Sequence, residues 1–169
     1  VQTCALPISQ SFRDGDYENS RKLLDVLMEN GGRFVDTSGR SQQVHGRYMQ
    51  ENPSQADLFL ATNMRTDSEE LDHTYLQQSL AVQGKESLDL LQLQRPNEFE
   101  RQWKRLRNWK DKSMTRHIGL AVSGERYFPM IEKLLKSGTA DFVQLNYSMI
   151  EPESGERLLP LAQDHGVAV

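Results

Sequence analysis

Ile118-Gly119-Leu120-Ala121-Val122-Ser123 is one of six short apolar runs in this sequence, most of which end on a polar side chain. The others are Phe34-Val35-Asp36, Leu58-Phe59-Leu60-Ala61-Thr62-Asn63, Leu90-Leu91-Gln92-Leu93-Gln94, Phe142-Val143-Gln144-Leu145-Asn146 and Val167-Ala168-Val169. Successive runs start roughly 24 to 32 residues apart, with a charged, amphipathic stretch between each pair. Strands of a parallel sheet are buried on both faces and read as continuous apolar runs, so this spacing predicts repeated βα units. Ligands bind at the carboxyl ends of such strands, which makes the terminal polar residues candidates for a site.

Composition narrows the class of protein. The chain has 169 residues, of which 37% are hydrophobic and 26% charged, enough for one buried core. A net charge of −4 argues against a dedicated nucleic-acid partner, and no apolar run approaches the ~20 residues that cross a bilayer. The single cysteine, Cys4, allows neither a disulfide framework nor a CxxC motif. We expect a cytoplasmic protein with no nucleic-acid or membrane partner. A targeting signal ahead of Val1 stays an alternative, and the oligomeric state is open.

The two ends of the sequence differ from its middle. Residues 1–8, Val-Gln-Thr-Cys-Ala-Leu-Pro-Ile, match neither structural period and do not form a signal peptide. They look like the in-frame translation of a sequencing-library adapter, and we expect them to be an artefact; a short native strand is the alternative. The run at Val167–Val169 has nothing after it. We therefore expect one partial domain, residues 9–169, open at both ends.

Helical patterns alternate with the strands. The apolar positions that define them are Leu23, Leu24 and Leu27; Leu71, Tyr75, Leu76 and Leu80; Phe99, Trp103 and Leu106; Ile131, Leu134 and Leu135; and Leu158, Leu159, Leu161 and Ala162. Most of these segments end at a glycine, as helices commonly do. Residues 42–50 form a weaker helical pattern. The order is an unbroken alternation of helix and strand without linkers, which indicates a single domain.

Doubly wound sheets and (β/α)8 barrels share this order of elements. A dinucleotide-binding doubly wound fold predicts a GxGxxG turn after its first strand. The sequence contains neither that turn nor a GxxxxGK[ST] phosphate loop. The motifs at the strand ends must therefore decide between the two folds.

Six segments, in order, resemble consecutive strand motifs of the aldo-keto reductase family. They are Gly31-Gly32-Arg33-Phe34-Val35-Asp36-Thr37, Leu58-Phe59-Leu60-Ala61-Thr62, Leu88-Asp89-Leu90-Leu91-Gln92-Leu93 with Pro96, His117-Ile118-Gly119-Leu120, Asp141-Phe142-Val143-Gln144-Leu145-Asn146-Tyr147-Ser148, and Leu158-Leu159-Pro160-Leu161-Ala162 with His165-Gly166-Val167-Ala168-Val169. The resemblance covers residues 12–169. It implies an incomplete (β/α)8 TIM-type barrel that has the family's second to seventh strands and lacks the first and eighth.

The resemblance also implies a chemistry. The family reduces small-molecule carbonyls with NADPH, using a tetrad of Asp, Tyr, Lys and His. The Tyr protonates the carbonyl oxygen, the Lys paired with the Asp lowers the Tyr pKa, and the His orients the carbonyl. Such proton transfer depends on an acid tuned by a neighbouring charge.

Carried over by position, only the Asp of this tetrad is matched, by Asp36. The Lys position holds Asn63, the His position holds Gln94, and the residue nearest to the missing Tyr is Ser41. Asn63 supplies no positive charge, and a serine hydroxyl is a far weaker acid than a phenol. Gln94 can still donate a hydrogen bond to a carbonyl. Two roles stay open for Asp36: it has a function in the site, or its carboxylate caps the turn that follows.

The expected cofactor contacts are reduced in the same way. After the fifth strand the family commonly has a Ser or Thr and an Asn or His that grip the nicotinamide carboxamide. Ala121 and Val122 fill those places here, while Gln144 is retained after the sixth. NADPH is thus the cofactor that the resemblance implies, with Gln144 as its retained contact.

Three functional hypotheses follow. The first is a family member, a pseudoenzyme, that has lost ordinary catalysis and keeps a ligand-binding mouth. The second is an active oxidoreductase with a rearranged proton donor, Tyr147 or Arg40 with a bound water. The third is a non-enzymatic scaffold or partner subunit that uses the outer helices.

Two other patterns favour structural roles. The four histidines, His45, His73, His117 and His165, have no ligand spacing, and we predict no metal site. The basic residues around Trp103 and Trp109, among them Arg105, superficially resemble a nucleic-acid patch. We interpret them as an exterior helix with Trp103 packed inward and its cations in water.

Overall fold

A computed structural model describes residues 17–37, 39, 41–53, 58–64, 68–150 and 152–169. The helices in it are α1 (Tyr17–Glu29), α2 (Ser41–Glu51), α3 (Glu69–Gln83), α4 (Phe99–Asp111), α5 (Phe128–Lys136), α6 (Glu153–Arg157) and α7 (Leu159–Asp164). The strands are β1 (Phe34–Thr37), β2 (Phe59–Met64), β3 (Leu88–Leu93), β4 (Thr115–Ala121) and β5 (Phe142–Gln144). Residues 1–16, and with them the expected artefact at 1–8, lie outside the described part of the chain.

The five strands form one parallel sheet in the order β1-β2-β3-β4-β5. Each strand pairs with the next in sequence, as the alternation of helix and strand predicts. The last apolar run, Val167–Val169, contributes a single bridge from Ala168 to Phe142 in place of the expected strand. The helical segment predicted around Leu158 is divided into α6 and α7.

The sheet is strongly curled. Phe34 lies in β1 and Phe142 in β5, the two outermost strands, yet their ring centroids are 6.2 Å apart. Neighbouring strands are spaced by ~4.8 Å, so the outermost strands of a flat five-stranded sheet would be ~19 Å apart. Phe59 and His117 complete the aromatic cluster between them, at 5.7 and 5.6 Å from Phe142. The curled parallel sheet with helices outside it is that of an incomplete (β/α) barrel, as the sequence predicted.

The main hydrophobic core lies between the sheet and the helices. On α4, Trp103, Leu106 and Trp109 are buried, and the Trp103 indole N–H donates to Thr139 Oγ1 at 3.0 Å. The prediction that Trp103 packs inward is confirmed. In the part of the chain that the structure describes, no helix is long and apolar enough to span a membrane.

One basic residue of α4 departs from the sequence prediction. Arg105 was expected in water, but its side chain is buried and ion-paired with Asp72 of α3, which is 1% exposed. The hydrophobic stripe on α4 could not indicate this, because the partner lies 33 residues earlier on another helix. The pair joins α3 to α4 inside the protein.

We expect Arg105→Met to destabilise the fold by about 3–5 kcal/mol, because it leaves the Asp72 carboxylate buried without a counter-charge. The matched variant Asp72→Leu/Arg105→Met removes both charges and should lose much less. Urea unfolding followed by circular dichroism measures both. Equal stability of the wild type and the single variant would contradict this account.

A second inter-helix contact depends on a glycine. A Cβ at Gly46 of α2 would lie 2.0 Å from the backbone oxygen of Val82 in α3. Real Cβ atoms do not approach a carbonyl so closely, so only glycine lets these two helices pack at this distance.

Gly46→Ala should therefore force α2 and α3 apart and cost roughly 1–3 kcal/mol of stability, the usual range for overpacking. Gly39→Ala is the control, because nothing lies within 4 Å of a Cβ at that position. Thermal unfolding of the two variants tests the difference. An unchanged Tm for Gly46→Ala would show that the helices can move apart freely.

Candidate functional site

The carboxyl ends of the strands place a set of polar side chains on the concave face of the curled sheet. Alternate residues of a strand share a face, so Asp36 lies on the same face as Phe34, two residues before it. Asp36 is the register partner of Ala61. Two residues further along β2, on the same face, Asn63 pairs with Gln92, which pairs in turn with Gly119. Gln144, in β5, is level with Ala121. We call the group formed by Asp36, Asn63, Gln92 and Gln144 the mouth cluster.

Asp36 is the charged centre of the mouth cluster. It is 8% exposed, and its two carboxylate oxygens accept from side-chain amides on different strands. Asn63 Nδ2 donates to Oδ1, and Gln144 Nε2 donates to Oδ2 at 3.5 Å. Two sequence-predicted site residues, Asn63 and Gln144, are thus brought to the predicted Asp36.

Burial has the largest effect on the pKa of Asp36. Loss of solvation raises the pKa of this carboxyl, and the hydrogen bonds from Gln144, Asn63 and the Thr37 backbone only partly oppose the rise. Within the described residues, no lysine or arginine forms an ion pair with it. Its described partners are neutral amide dipoles.

Asn63 is held in place by two helices. The Tyr75 hydroxyl of α3 donates to the backbone carbonyl oxygen of Asn63 at 3.0 Å, and Gln42 Nε2 of α2 donates to that hydroxyl at 2.8 Å. Sequence reasoning missed Gln42 and Tyr75 in this role. Tyr75 occupies an apolar helical position, and nothing in the sequence distinguishes it from a core residue.

Gln92 is a further residue that sequence reasoning did not select. It is 3% exposed, and its side-chain carbonyl oxygen makes no hydrogen bond. The same is true of Asn63 Oδ1, although the Nδ2 atom of that residue binds Asp36. Gln92 is the penultimate residue of β3, as Asn63 is of β2, but its apolar run continues to Gln94, so the search for polar residues at the ends of runs selected Gln94 instead.

The other predicted site residues differ in their position and burial. Gln94 directly follows β3, and its backbone N–H donates to Met64 O at 3.0 Å, which places it at the same edge of the sheet. Ser41 is the first residue of α2 and is buried. Tyr147 is 58% exposed, and no described hydrogen bond joins it to Asp36. Arg40 lies outside the described residues.

Metal-binding side chains do not gather anywhere in the described ranges: no group of three or more His, Cys, Asp or Glu residues there could hold an ion. The mouth cluster contains one carboxylate and three amides. Its chemistry is hydrogen bonding around a single negative charge.

Comparison with known proteins identifies the family. The sequence model of the Aldo/keto reductase family matches residues 9–169. The chain belongs to the aldo/keto reductase family. The resemblance inferred from the strand motifs is confirmed, and it covers nearly the same residues.

Solved structures share the fold of this aldo/keto reductase chain. An aldo/keto reductase from Klebsiella pneumoniae in complex with NADP and acetate is similar with a TM-score of 0.80 at 14% identity, over 99% of this chain and 62% of that one. An aldo-keto reductase from Bacillus halodurans in its holo form gives 0.74 at 22% identity, over 91% and 57%. A glycerol dehydrogenase from Gluconobacter oxydans gives 0.76 at 17% identity, over 98% and 57%. The chain spans about three fifths of the length of these structures.

Few polar side chains stand at the positions that the resemblance assigns to the nicotinamide carboxamide. Ala121 offers only a methyl group, and the side chain of Val122 is buried away from solvent. Gln144 keeps an exposed amide, but that amide also contacts Asp36 at 3.5 Å. Of the three positions that the resemblance assigned to the carboxamide, one carries a polar side chain.

The raised pKa of Asp36 predicts a pH effect on stability. Folded Asp36 binds its proton more tightly than unfolded Asp36, so stability falls as pH rises from the ordinary pKa of 3.8 through the raised value. Asp36→Asn removes that loss. The Tm difference between the variant and the wild type should become more positive as pH increases across this window.

Asp164→Asn is the matched control, because Asp164 is exposed on α7 and makes no described ion pair. Thermal unfolding between pH 3 and pH 8 measures both variants. Parallel curves for Asp36→Asn and the wild type would show that the carboxyl is not desolvated.

Proposed function

We propose that the chain is an aldo/keto reductase-family barrel segment that binds a small ligand at its mouth and does not carry out ordinary NADPH-dependent carbonyl reduction. The observation that carries this is the amide of Asn63 on the Asp36 carboxylate. The family resemblance places there the lysine that tunes the proton donor. An amide carries no charge, so it cannot lower the pKa of a neighbouring acid as an ammonium group does.

The candidate proton donors also support the proposal that the chain does not carry out ordinary carbonyl reduction. Ser41, nearest to the missing tyrosine, is 1% exposed in the first turn of α2. An alcohol is a weak acid, and burial makes its ionised form still less favourable. Tyr147 is largely exposed and makes no described hydrogen bond with Asp36, which gives Tyr147 no support as the rearranged donor. Arg40, the other candidate, lies outside the described residues.

NADPH enters this proposal only as the family's cofactor. When bound to a reductase it supplies a hydride to the carbonyl carbon. The poor fit of Ala121 and Val122 to a carboxamide leaves Gln144 as the contact that this chain offers. Since the residues do not fit, we assign no step of a reaction to this chain through NADPH.

The protein from the intact gene should oxidise NADPH at the rate of the buffer alone when offered a panel of aldehydes and ketones, measured by absorbance at 340 nm. Asn63→Lys tests the missing charge separately. It should lower the pKa of Asp36 by ion pairing without producing turnover, because no tyrosine is in place to protonate the carbonyl.

Aldehyde-dependent turnover that is abolished by Asp36→Asn would overturn the proposal. Turnover that is kept in Asp36→Asn and lost in Tyr147→Phe would instead establish the rearranged donor. NADPH binding without turnover would agree with a retained mouth, and it can be followed by quenching of tryptophan fluorescence.

A further inference from the structure

The mouth cluster contains two acceptors that the described chain does not satisfy. Asn63 Oδ1 and Gln92 Oε1 are both shielded from solvent and without a hydrogen bond, in residues that are 6% and 3% exposed. Leaving a buried polar group unpaired costs roughly 1–3 kcal/mol, so such atoms usually mark the place of a missing partner. Their missing partner must be a hydrogen-bond donor, because both atoms are carbonyl oxygens.

The two acceptors lie on neighbouring strands at the same level. Asn63 and Gln92 are register partners in β2 and β3, so their side chains leave the sheet on the same face. Gln92 also approaches β4, where its Cγ is 3.3 Å from the place of a Cβ on Gly119. A Cβ on Gly119 would also lie 2.9 Å from Phe142 O, so glycine lets β5 and the Gln92 side chain pack closely at this point.

Asp36 adds a negative charge to these acceptors. Its carboxylate is in contact with the Asn63 amide, and no described cation pairs with it. The site thus combines one anionic oxygen pair with two neutral carbonyl oxygens. A primary ammonium group matches this set, because it has one positive charge, three N–H donors and no acceptor.

Gln144 is the side chain that would move to let a ligand reach Asp36. Its side chain is exposed, and it reaches Asp36 Oδ2 only at 3.5 Å, the long limit of a hydrogen bond. Rotation of this one side chain gives up only that long hydrogen bond and frees Asp36 Oδ2 for another donor. The freed Gln144 amide oxygen could then also accept from the incoming group.

We propose that the mouth cluster binds the primary ammonium group of a small amine, held by Asp36, Asn63 Oδ1 and Gln92 Oε1. The inference rests on the proposed function only in assuming a retained ligand mouth, and it needs neither NADPH nor turnover. The ligand class is a primary amine, which places an –NH3⁺ group beside a carboxylate that no described lysine or arginine pairs with.

Methylammonium chloride is the probe, tested on the full chain by thermal unfolding at constant ionic strength. It should raise Tm by roughly 3 °C at ten times its dissociation constant. Tetramethylammonium carries the same charge without N–H donors, and potassium is a monatomic cation. Neither should raise Tm. A shift of equal size with potassium would overturn the proposal in favour of a metal-cation site, and an equal shift with tetramethylammonium would reduce it to a salt effect.

Gln92→Leu should weaken methylammonium binding at least tenfold. Gln83→Leu is the matched control, because Gln83 is also a buried glutamine with an unpaired Oε1, but it lies on α3 and donates to Thr62 on the outer side of the sheet. The control variant should keep the methylammonium shift even though its own Tm is lower. Loss of the shift in both variants would overturn the assignment.

A second readout does not depend on a variant that folds. In the wild type, the side-chain amide resonances of Asn63 and Gln92 should move on titration with methylammonium, and those of Gln83 should stay in place. Unmoved Asn63 and Gln92 resonances would overturn the proposal. Neither outcome affects the NADPH assay, so the two proposals fail separately.

Discussion

The fold and its site depend on the curl of the sheet. Phe34 and Phe142 belong to the two outermost strands of the sheet, and their contact closes the concave side with aromatic rings. Two residues further along each strand, Asp36 and Gln144 meet in the same way. Flattening the sheet would separate both pairs and return the Asp36 carboxylate to water. The apolar contact between rings therefore maintains the desolvation of the charged group above it.

The protein buries several carboxylates, and it compensates them differently. Asp72 is paired with Arg105, Asp89 with Lys85, and the half-buried Asp141 with Lys110. The first pair joins α3 to α4, and the carboxylates of the other two lie at the amino ends of β3 and β5. Asp36 alone among these four is surrounded by amides. Among the described residues this charge has dipoles around it and no counter-ion, and this contrast with the other three carboxylates is our reason for interpreting it as the place that receives a ligand.

Much of the fold could be predicted from the sequence, because it follows from local patterns. Five of the six apolar runs form strands as predicted, and Trp103 lies inward as its helical spacing indicated. The run at Val167–Val169 forms only a bridge. Strand length depends on a neighbouring strand, which a pattern within one run cannot reveal.

The site was less predictable, because several of its contacts also depend on neighbouring strands and helices. Asp36, Asn63 and Gln144 stand at strand ends and were found. Gln92 and Tyr75 were not, because their roles arise from register and from a helix packing over a strand end. The burial of Arg105 was missed since its partner is distant in sequence.

The separation along the chain between the two sides of the mouth has a consequence for folding. Asp36 and Gln144 are 108 residues apart, whereas each strand pairs with the one that follows it. Closing so long a loop carries a larger entropic cost than forming one βα unit, and non-local contacts of this kind form slowly. Adjacent units can thus assemble early from either end, while the pocket around Asp36 exists only after the last strand has docked. A partly folded chain, or one caught during synthesis, would have helices and strands but no binding site, so ligand binding would report on completed molecules alone.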